Sequence, residues 1–178
     1  MEFNNQYLVD RLRSIQDFPH EGINFRDVTT LFKDAKALEI MEEYLYELYK
    51  DKGITKVVGL ETRGYVMGAI LARRLNAGFV MARKLGKLPY KTFQETYTKE
   101  YGTDGIEIHV DAINEDDVVL LHDDLLATGG SIIAAWNLVK KFNPKKCYMN
   151  FLVEIRDGGL QGREAIGDGI EITTLLRV

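Results

Sequence analysis

Residues Val118 to Ser131, reading Val-Val-Leu-Leu-His-Asp-Asp-Leu-Leu-Ala-Thr-Gly-Gly-Ser, constrain what this chain can fold into more than any other stretch. Four consecutive apolar residues, Val118 to Leu121, suit a strand covered on both faces, as in a parallel sheet. That strand aims Asp123 and Asp124 at its carboxyl end. Ala127, Thr128, Gly129, Gly130 and Ser131 then supply small side chains, two hydroxyls and a permissive backbone, so several N–H groups can turn towards one anion. Ile132, Trp136 and Val139 follow at helical spacing. The loop therefore ends at a helix N-terminus, where unpaired N–H groups and the helix dipole favour a phosphate.

Two adjacent carboxylates would only repel a ligand that was phosphate and nothing else. As acceptors they suit the two hydroxyls of a ribose, and a negative pair near the anomeric carbon stabilises positive charge developing there. A phosphorylated ribose satisfies both halves of the pattern. Other phosphate-binding patterns do not fit: there is no G-x-x-x-x-G-K-[ST], and no Lys follows the glycines. Gly129-Gly130 runs into Ser131-Ile132-Ile133 without the spaced third glycine of a dinucleotide fingerprint.

A chain of 178 residues is read as one domain, large enough to bury a core. Its formal charge of −4 argues against a general nucleic-acid or membrane-surface binder, so any positive site has to be local. Cys147 is the only cysteine, which rules out an intrachain disulfide and fits a reducing compartment; it is expected as a small buried apolar residue. Met1 to Gln16 lacks the apolar centre of a signal peptide, and no apolar run approaches the ~20 residues a membrane helix needs. A cytoplasmic protein is expected.

Along the chain, Tyr7 to Ile15 reads as a short amphipathic helix and Asp17 to Gly22 as a loop. Ala37, Met41, Tyr44, Leu45 and Leu48 mark a longer helix that Gly53 stops. Lys56 to Leu60 reads as a core strand, Glu61 to Gly64 as a tight connection, and Tyr65 to Leu75 as the next helix. Phe79 to Met81, the strand opening at Val118 and Tyr148 to Val153 are further strands, and a polar, Gly-rich piece precedes Ile170 to Leu176. Arg83 to Thr103 is polar, basic and aromatic without a clean period, the mark of a functional loop. Ile106, Ile108 and Val110 alternate with Glu107 and His109 as a half-exposed strand, read as half of a hairpin rising over the site. Strands separated by helices imply an α/β fold with a mostly parallel central sheet flanked by helices. Ligands in such sheets sit at the carboxyl ends of the strands, which gathers Glu61 to Gly64, Arg83 to Lys87 and Asp123 to Ser131 around one crevice.

The segment Asp123-Asp124-Leu125-Leu126-Ala127-Thr128-Gly129-Gly130 resembles the phosphoribosyl-pyrophosphate (PRPP) motif of the type I phosphoribosyltransferase family. Three further stretches resemble family motifs in the family's order. Glu61-Thr62-Arg63-Gly64-Tyr65 is similar to the pyrophosphate loop Glu-Ser-Arg-Gly-Phe, and Arg83-Lys84-Leu85-Gly86-Lys87-Leu88-Pro89 to a basic Lys-x-Gly-Lys-Leu-Pro stretch. Phe18-Pro19-x-x-Gly22-Ile23-Asn24-Phe25-Arg26-Asp27 resembles the segment that reads the base. Glu100-Tyr101-Gly102 is similar to part of the flexible loop. The likeness runs from Asp17 to about Gly162 and is closest to the branch that uses adenine.

The resemblance implies a fold with a small N-terminal hood, from about 1–35, and a flexible catalytic loop at about 83–105. It implies transfer of the phosphoribosyl group of PRPP to adenine, giving AMP and pyrophosphate in purine salvage, by a homodimer using Mg²⁺ that the diphosphate and water hold more than protein side chains do. Asp123 and Asp124 would hold the ribose hydroxyls, and Ala127, Thr128, Gly129, Gly130 and Ser131 the 5′-phosphate. Arg63, Lys84 and Lys87 would hold pyrophosphate. Glu100 would manage the proton on the base while Tyr101 helps close the loop, and Asn24, Phe25 and Arg26 would meet the base. Asn24 stands where an apolar residue is usual, which leaves a hypoxanthine, guanine or xanthine enzyme open as an alternative; a non-catalytic PRPP sensor is the other. His122 receives no chemistry, and His20 and His109 are read as surface residues.

Overall fold

The computed structural model describes residues 6–99, 102–156 and 160–178. In chain order the elements are α1 (Gln6–Val9), β1 (Arg13–Gln16), β2 (Asn24–Asp27), α2 (Thr29–Phe32), α3 (Ala35–Tyr49), β3 (Lys56–Leu60), α4 (Gly64–Arg74) and β4 (Gly78–Lys84). They continue with β5 (Thr92–Lys99), β6 (Gly102–His109), β7 (Val118–Leu126), α5 (Gly130–Lys140), β8 (Lys146–Glu154), α6 (Gly162–Ile166) and β9 (Glu171–Arg177).

Seven strands form one sheet in the order β5-β6-β4-β3-β7-β8-β9. The run β4-β3-β7-β8-β9 is parallel, and β6 pairs antiparallel with both β4 and β5. The apolar runs that mark β3, β7 and β8 in the sequence are covered twice. Val57, Leu120 and Tyr148 point to one core with Met41 and Leu45 of α3 and Met67 and Leu71 of α4. Val58, Leu121, Met149 and Phe151 point to the other, with Ile132, Ala135 and Leu138 of α5. A strand with no solvent face needs no alternation, which is why these three are legible as short continuous runs. Asp34 starts α3 by accepting from the Lys36 and Ala37 amides at 2.9 and 3.1 Å, and the same carboxylate ties down the N-terminal turn through Arg11 at 2.6 Å.

Three local expectations change. The helix expected over Tyr7 to Ile15 is the single turn α1; Arg13–Gln16 is a strand paired with β2 in a separate two-stranded sheet. β1 is almost wholly exposed, so its side chains carry no strand signature and only its partner defines it. The aperiodic stretch after Arg83 is largely an antiparallel hairpin, β5 against β6 in register from Thr92↔His109 to Lys99↔Gly102. Nor is β6 half-exposed: Glu107 is only 2% accessible. His109, read as a surface residue, is partly buried edge-on to Tyr90 at 6.2 Å.

Candidate active site

The carboxyl ends of β3, β4 and β7 open onto a cavity of about 870 Å³. Glu61, Thr62 and Arg63 line it from the β3 end, Lys84 from the end of β4, and Asp123 to Ile132 from β7 and the first turn of α5. The crevice expected from the sequence is therefore one space. Glycine makes it possible at the join of β3 and α4. A Cβ on Gly64 would lie 2.9 Å from the His122 carbonyl oxygen and 3.0 Å from Asp123 Oδ1. Only a residue without a side chain lets the start of α4 close onto β7 and hold Arg63 beside the carboxylates.

Arg63 Nε stands 2.7 Å from Asp124 Oδ2, an ion pair whose acidic partner is almost fully buried. Burial and the neighbouring Asp124 push Asp123 well above the usual carboxylate range. Asp124 is also raised by burial, with the Arg63 guanidinium pulling it back. The pair thus stands as one carboxylate partnered by a cation and one without a cation of its own. It is strained in the electrostatic sense and poised to gain from positive charge placed before it.

That cost is measurable. A carboxyl whose folded pKa is raised contributes nothing below the unfolded value near pH 4 and opposes folding increasingly as pH rises above it. Asp123→Asn, which keeps the oxygen that accepts the Asp124 amide at 2.9 Å, is expected to raise stability by about 1–2 kcal/mol at pH 7 and to match the parent near pH 3.5. Urea melts at the two pH values check this. A variant less stable than the parent at pH 7 would mean that the carboxylate holds the fold together.

Beyond the carboxylates the chain enters the phosphate-sized loop. Gly129 takes the left-handed conformation at φ +85° and caps α5 without any side-chain bond, leaving the first amides of an eleven-residue helix facing the cavity rim. The loop is backed from behind. Glu154, at the end of β8, binds Arg163 of α6 at 2.6 Å and is also met by Arg156 at 3.1 Å. The Arg163 guanidinium holds the Glu154 carboxyl down at about 2. This clamp seats α6 so closely that a Cβ on Gly162 would lie 2.3 Å from the Ala127 carbonyl oxygen.

Of the residues singled out from the sequence, Arg63, Lys84, Asp123, Asp124, Ala127, Thr128, Gly129, Gly130 and Ser131 all line the cavity. Lys87 does not. Asn24, Phe25 and Arg26 lie on β2 outside the lining, although Ile23 just before them belongs to it. The Arg63 guanidinium sits 5.9 Å from the centre of the Phe25 ring, which brings the β1–β2 unit to the edge of the site. Glu100 and Tyr101 lie outside the described residues. Sequence reasoning missed Tyr97, Asp104 and Leu160 as lining residues and Gly162 as the backing. None carries a local signal, because each arrives from a different element by long-range packing. His122 is fully buried, bonded through Nδ1 to Asn150 at 2.9 Å, and burial lowers its pKa to about 4. It is neutral near pH 7. Cys147, expected to be buried, is only partly so, and burial pushes its thiol up to about 12.

Fold and site together are those of a phosphoribosyl transferase domain, and the family model of that description matches residues 27–163. The chain is 56% identical to adenine phosphoribosyltransferase of Bacteroides thetaiotaomicron over 176 residues, 99% of each chain. Among solved structures, adenine phosphoribosyltransferase of Rhodothermus marinus matches with a TM-score of 0.89 at 43% identity, over 97% of both chains. The Saccharomyces cerevisiae enzyme, complexed with an imino-altritol bisphosphate and adenine, matches at 0.88 and 38%, over 96% of this chain and 97% of that one. The chain belongs to the adenine phosphoribosyltransferase family.

Proposed function

We infer that this protein transfers the 5-phosphoribosyl group of PRPP to adenine, releasing AMP and pyrophosphate, as a purine salvage enzyme. The observation that carries the reading is the joint lining of one cavity by the Asp123–Asp124 pair, by Arg63 and by the loop that opens α5. A bisphosphorylated ribose has a matching group for each. The 5′-phosphate takes the amides and hydroxyls of Ala127 to Ser131, the ribose hydroxyls donate to Asp123 and Asp124, and the diphosphate reaches Arg63 and Lys84.

The base nitrogen forms its bond to the anomeric carbon as the bond to the diphosphate oxygen breaks, and the diphosphate leaves with that electron pair. Positive charge on the ribose in between faces the two carboxylates, so the pair gains most at the transition state. The proton released from the base goes to Glu100, on the assignment made from the resemblance, and Tyr101 helps exclude water. Asn24, Phe25 and Arg26 belong with the base, a reading supported by the approach of Phe25 to Arg63. We read residues 1–35 as a hood and about 83–105 as the catalytic loop.

The acidic pair also suits Mg²⁺. Among the described residues no group of three His, Cys, Asp or Glu could hold a metal, so an octahedral cation would draw most of its oxygens from diphosphate and water, with Asp123 and Asp124 beside it. Bound there, Mg²⁺ would neutralise the charge of the leaving group. No helix among the described residues is long and apolar enough to cross a membrane. A cytoplasmic homodimer is part of the same proposal.

The test is a base panel. Purified protein with PRPP and Mg²⁺ is offered adenine, hypoxanthine, guanine and xanthine in parallel, and nucleotide and pyrophosphate are measured. AMP from adenine alone is expected. Product from another base moves the specificity, and PRPP binding without product from any base replaces the enzyme with a sensor.

A further inference from the structure

Glu107 is a buried carboxylate that the reaction described above does not use. It lies on β6 directly opposite Arg83 of β4 and is 2% accessible. Both its oxygens are engaged. Oε1 accepts from the Lys87 and Leu88 amides, each at 2.8 Å. Oε2 accepts from Thr92 Oγ1 and Gln94 Nε2, each at 3.2 Å. Gly86, at φ +74°, turns the chain so that successive amides converge on one point. Converging amides of this kind ordinarily cradle a phosphate. Here a carboxylate of the same chain fills the cradle, so the amides of Lys87 and Leu88 are unavailable to a substrate.

The turn is gripped from its other side as well. Arg83 Nη1 donates to the Lys87 carbonyl at 3.1 Å, while Glu61 holds Arg83 at 3.2 Å and accepts from the Lys84 amide at 2.9 Å. Glu61 lines the cavity. The basic stretch is thus suspended between two carboxylates, one in the cavity wall and one behind the turn. Well-packed apolar residues commonly serve stability as well as a buried charge does. A fully bonded one at this place points to a demand on shape.

We propose that Glu107 is a positioning residue for the diphosphate: by filling the cradle of the 86–88 turn it fixes the Lys87 carbonyl that Arg83 grips, and through Arg83 and Glu61 it sets where Lys84 stands in the cavity wall, and so governs the site's grip on pyrophosphate but not on AMP. The proposal rests on the transferase reading given above, and its test separates the two. Dissociation constants for pyrophosphate with Mg²⁺ and for AMP are measured by calorimetry on the parent, E107A and E107Q, with amide hydrogen exchange followed at Gly86 to Leu88. E107A is expected to raise the pyrophosphate Kd about tenfold, since small misplacements of binding groups are costly, to leave the AMP Kd unchanged, and to speed exchange at the three amides. E107Q falls between, because one Gln oxygen can still accept from both turn amides while its Nε2 confronts the Gln94 amide. Equal weakening of AMP and pyrophosphate would show a merely structural role and overturn the proposal, as would an unchanged pyrophosphate Kd in folded E107A. Should E107A fail to fold, E107Q decides, and an unchanged pyrophosphate Kd there overturns it. A parent protein that binds neither ligand overturns the transferase reading itself.

Discussion

Asp124→Asn is expected to lower kcat by roughly 100- to 1000-fold, the range found when one preorganised electrostatic group is removed from a transition state. Its effect on folding is expected to be small. Asp124 is buried with its pKa already raised by burial, so an uncharged isostere removes an expense to the folded state, and Arg63, with a side chain 39% exposed, can turn to solvent. Two readouts separate this from general damage. The melting temperature should hold or rise, and the Kd for pyrophosphate should not weaken, because Arg63 is released from its ion pair to serve the diphosphate. A folded variant with unchanged steady-state turnover would remove Asp124 from the chemistry.

Gly162→Ala is the second large effect, and it acts from behind the site. The added Cβ would meet the Ala127 carbonyl oxygen at 2.3 Å and Leu126 Cδ1 at 2.8 Å. The first of these is backbone and cannot swing aside. Either α6 lifts, against the Arg163–Glu154 clamp, or the loop from Ala127 moves into the cavity. Overpacking of this kind costs about 1–3 kcal/mol, and a loop displaced by about an ångström can lose up to 100-fold in a positional reaction. A raised KM for PRPP with a lowered melting temperature is therefore expected. If thermal melts and PRPP kinetics both match the parent, α6 is not what holds the loop.

The parts of the molecule that could be read from sequence are those whose chemistry is local. β3, β7 and β8 are buried on both faces and show as apolar runs; the loop that opens α5 shows because glycine and small hydroxyl residues follow carboxylates within a few positions. Arg63 was legible only as a residue type in a suggestive place, and its partner in Asp124 needed the fold. The pieces that stayed hidden depend on distant partners. β1 is exposed and exists because β2 pairs with it. β5 carries a polar sequence that becomes regular only against β6, whose own alternation at Ile106 and Ile108 was legible. Glu107 looks like any solvated acid until the 86–88 turn is folded over it, and Gly162 has no meaning until α6 lies against Ala127.

The place of Gly162 also bears on how the site comes into being during synthesis. Its walls are drawn from residues 23, 61–63, 84, 97, 104, 123–132 and 160, with Gly162 behind them, and the strand that carries the carboxylates lies between β3, made early, and β8, made late. Chains emerge from the ribosome N-terminus first, and pairings between distant strands form slowly. A nascent chain that has just exposed Asp123 and Asp124 still lacks β8 and the backing of the loop. Substrate recognition is thus acquired only as the last elements dock, so PRPP can act as a thermodynamic brace for the completed protein but offers its growing precursor no shelter.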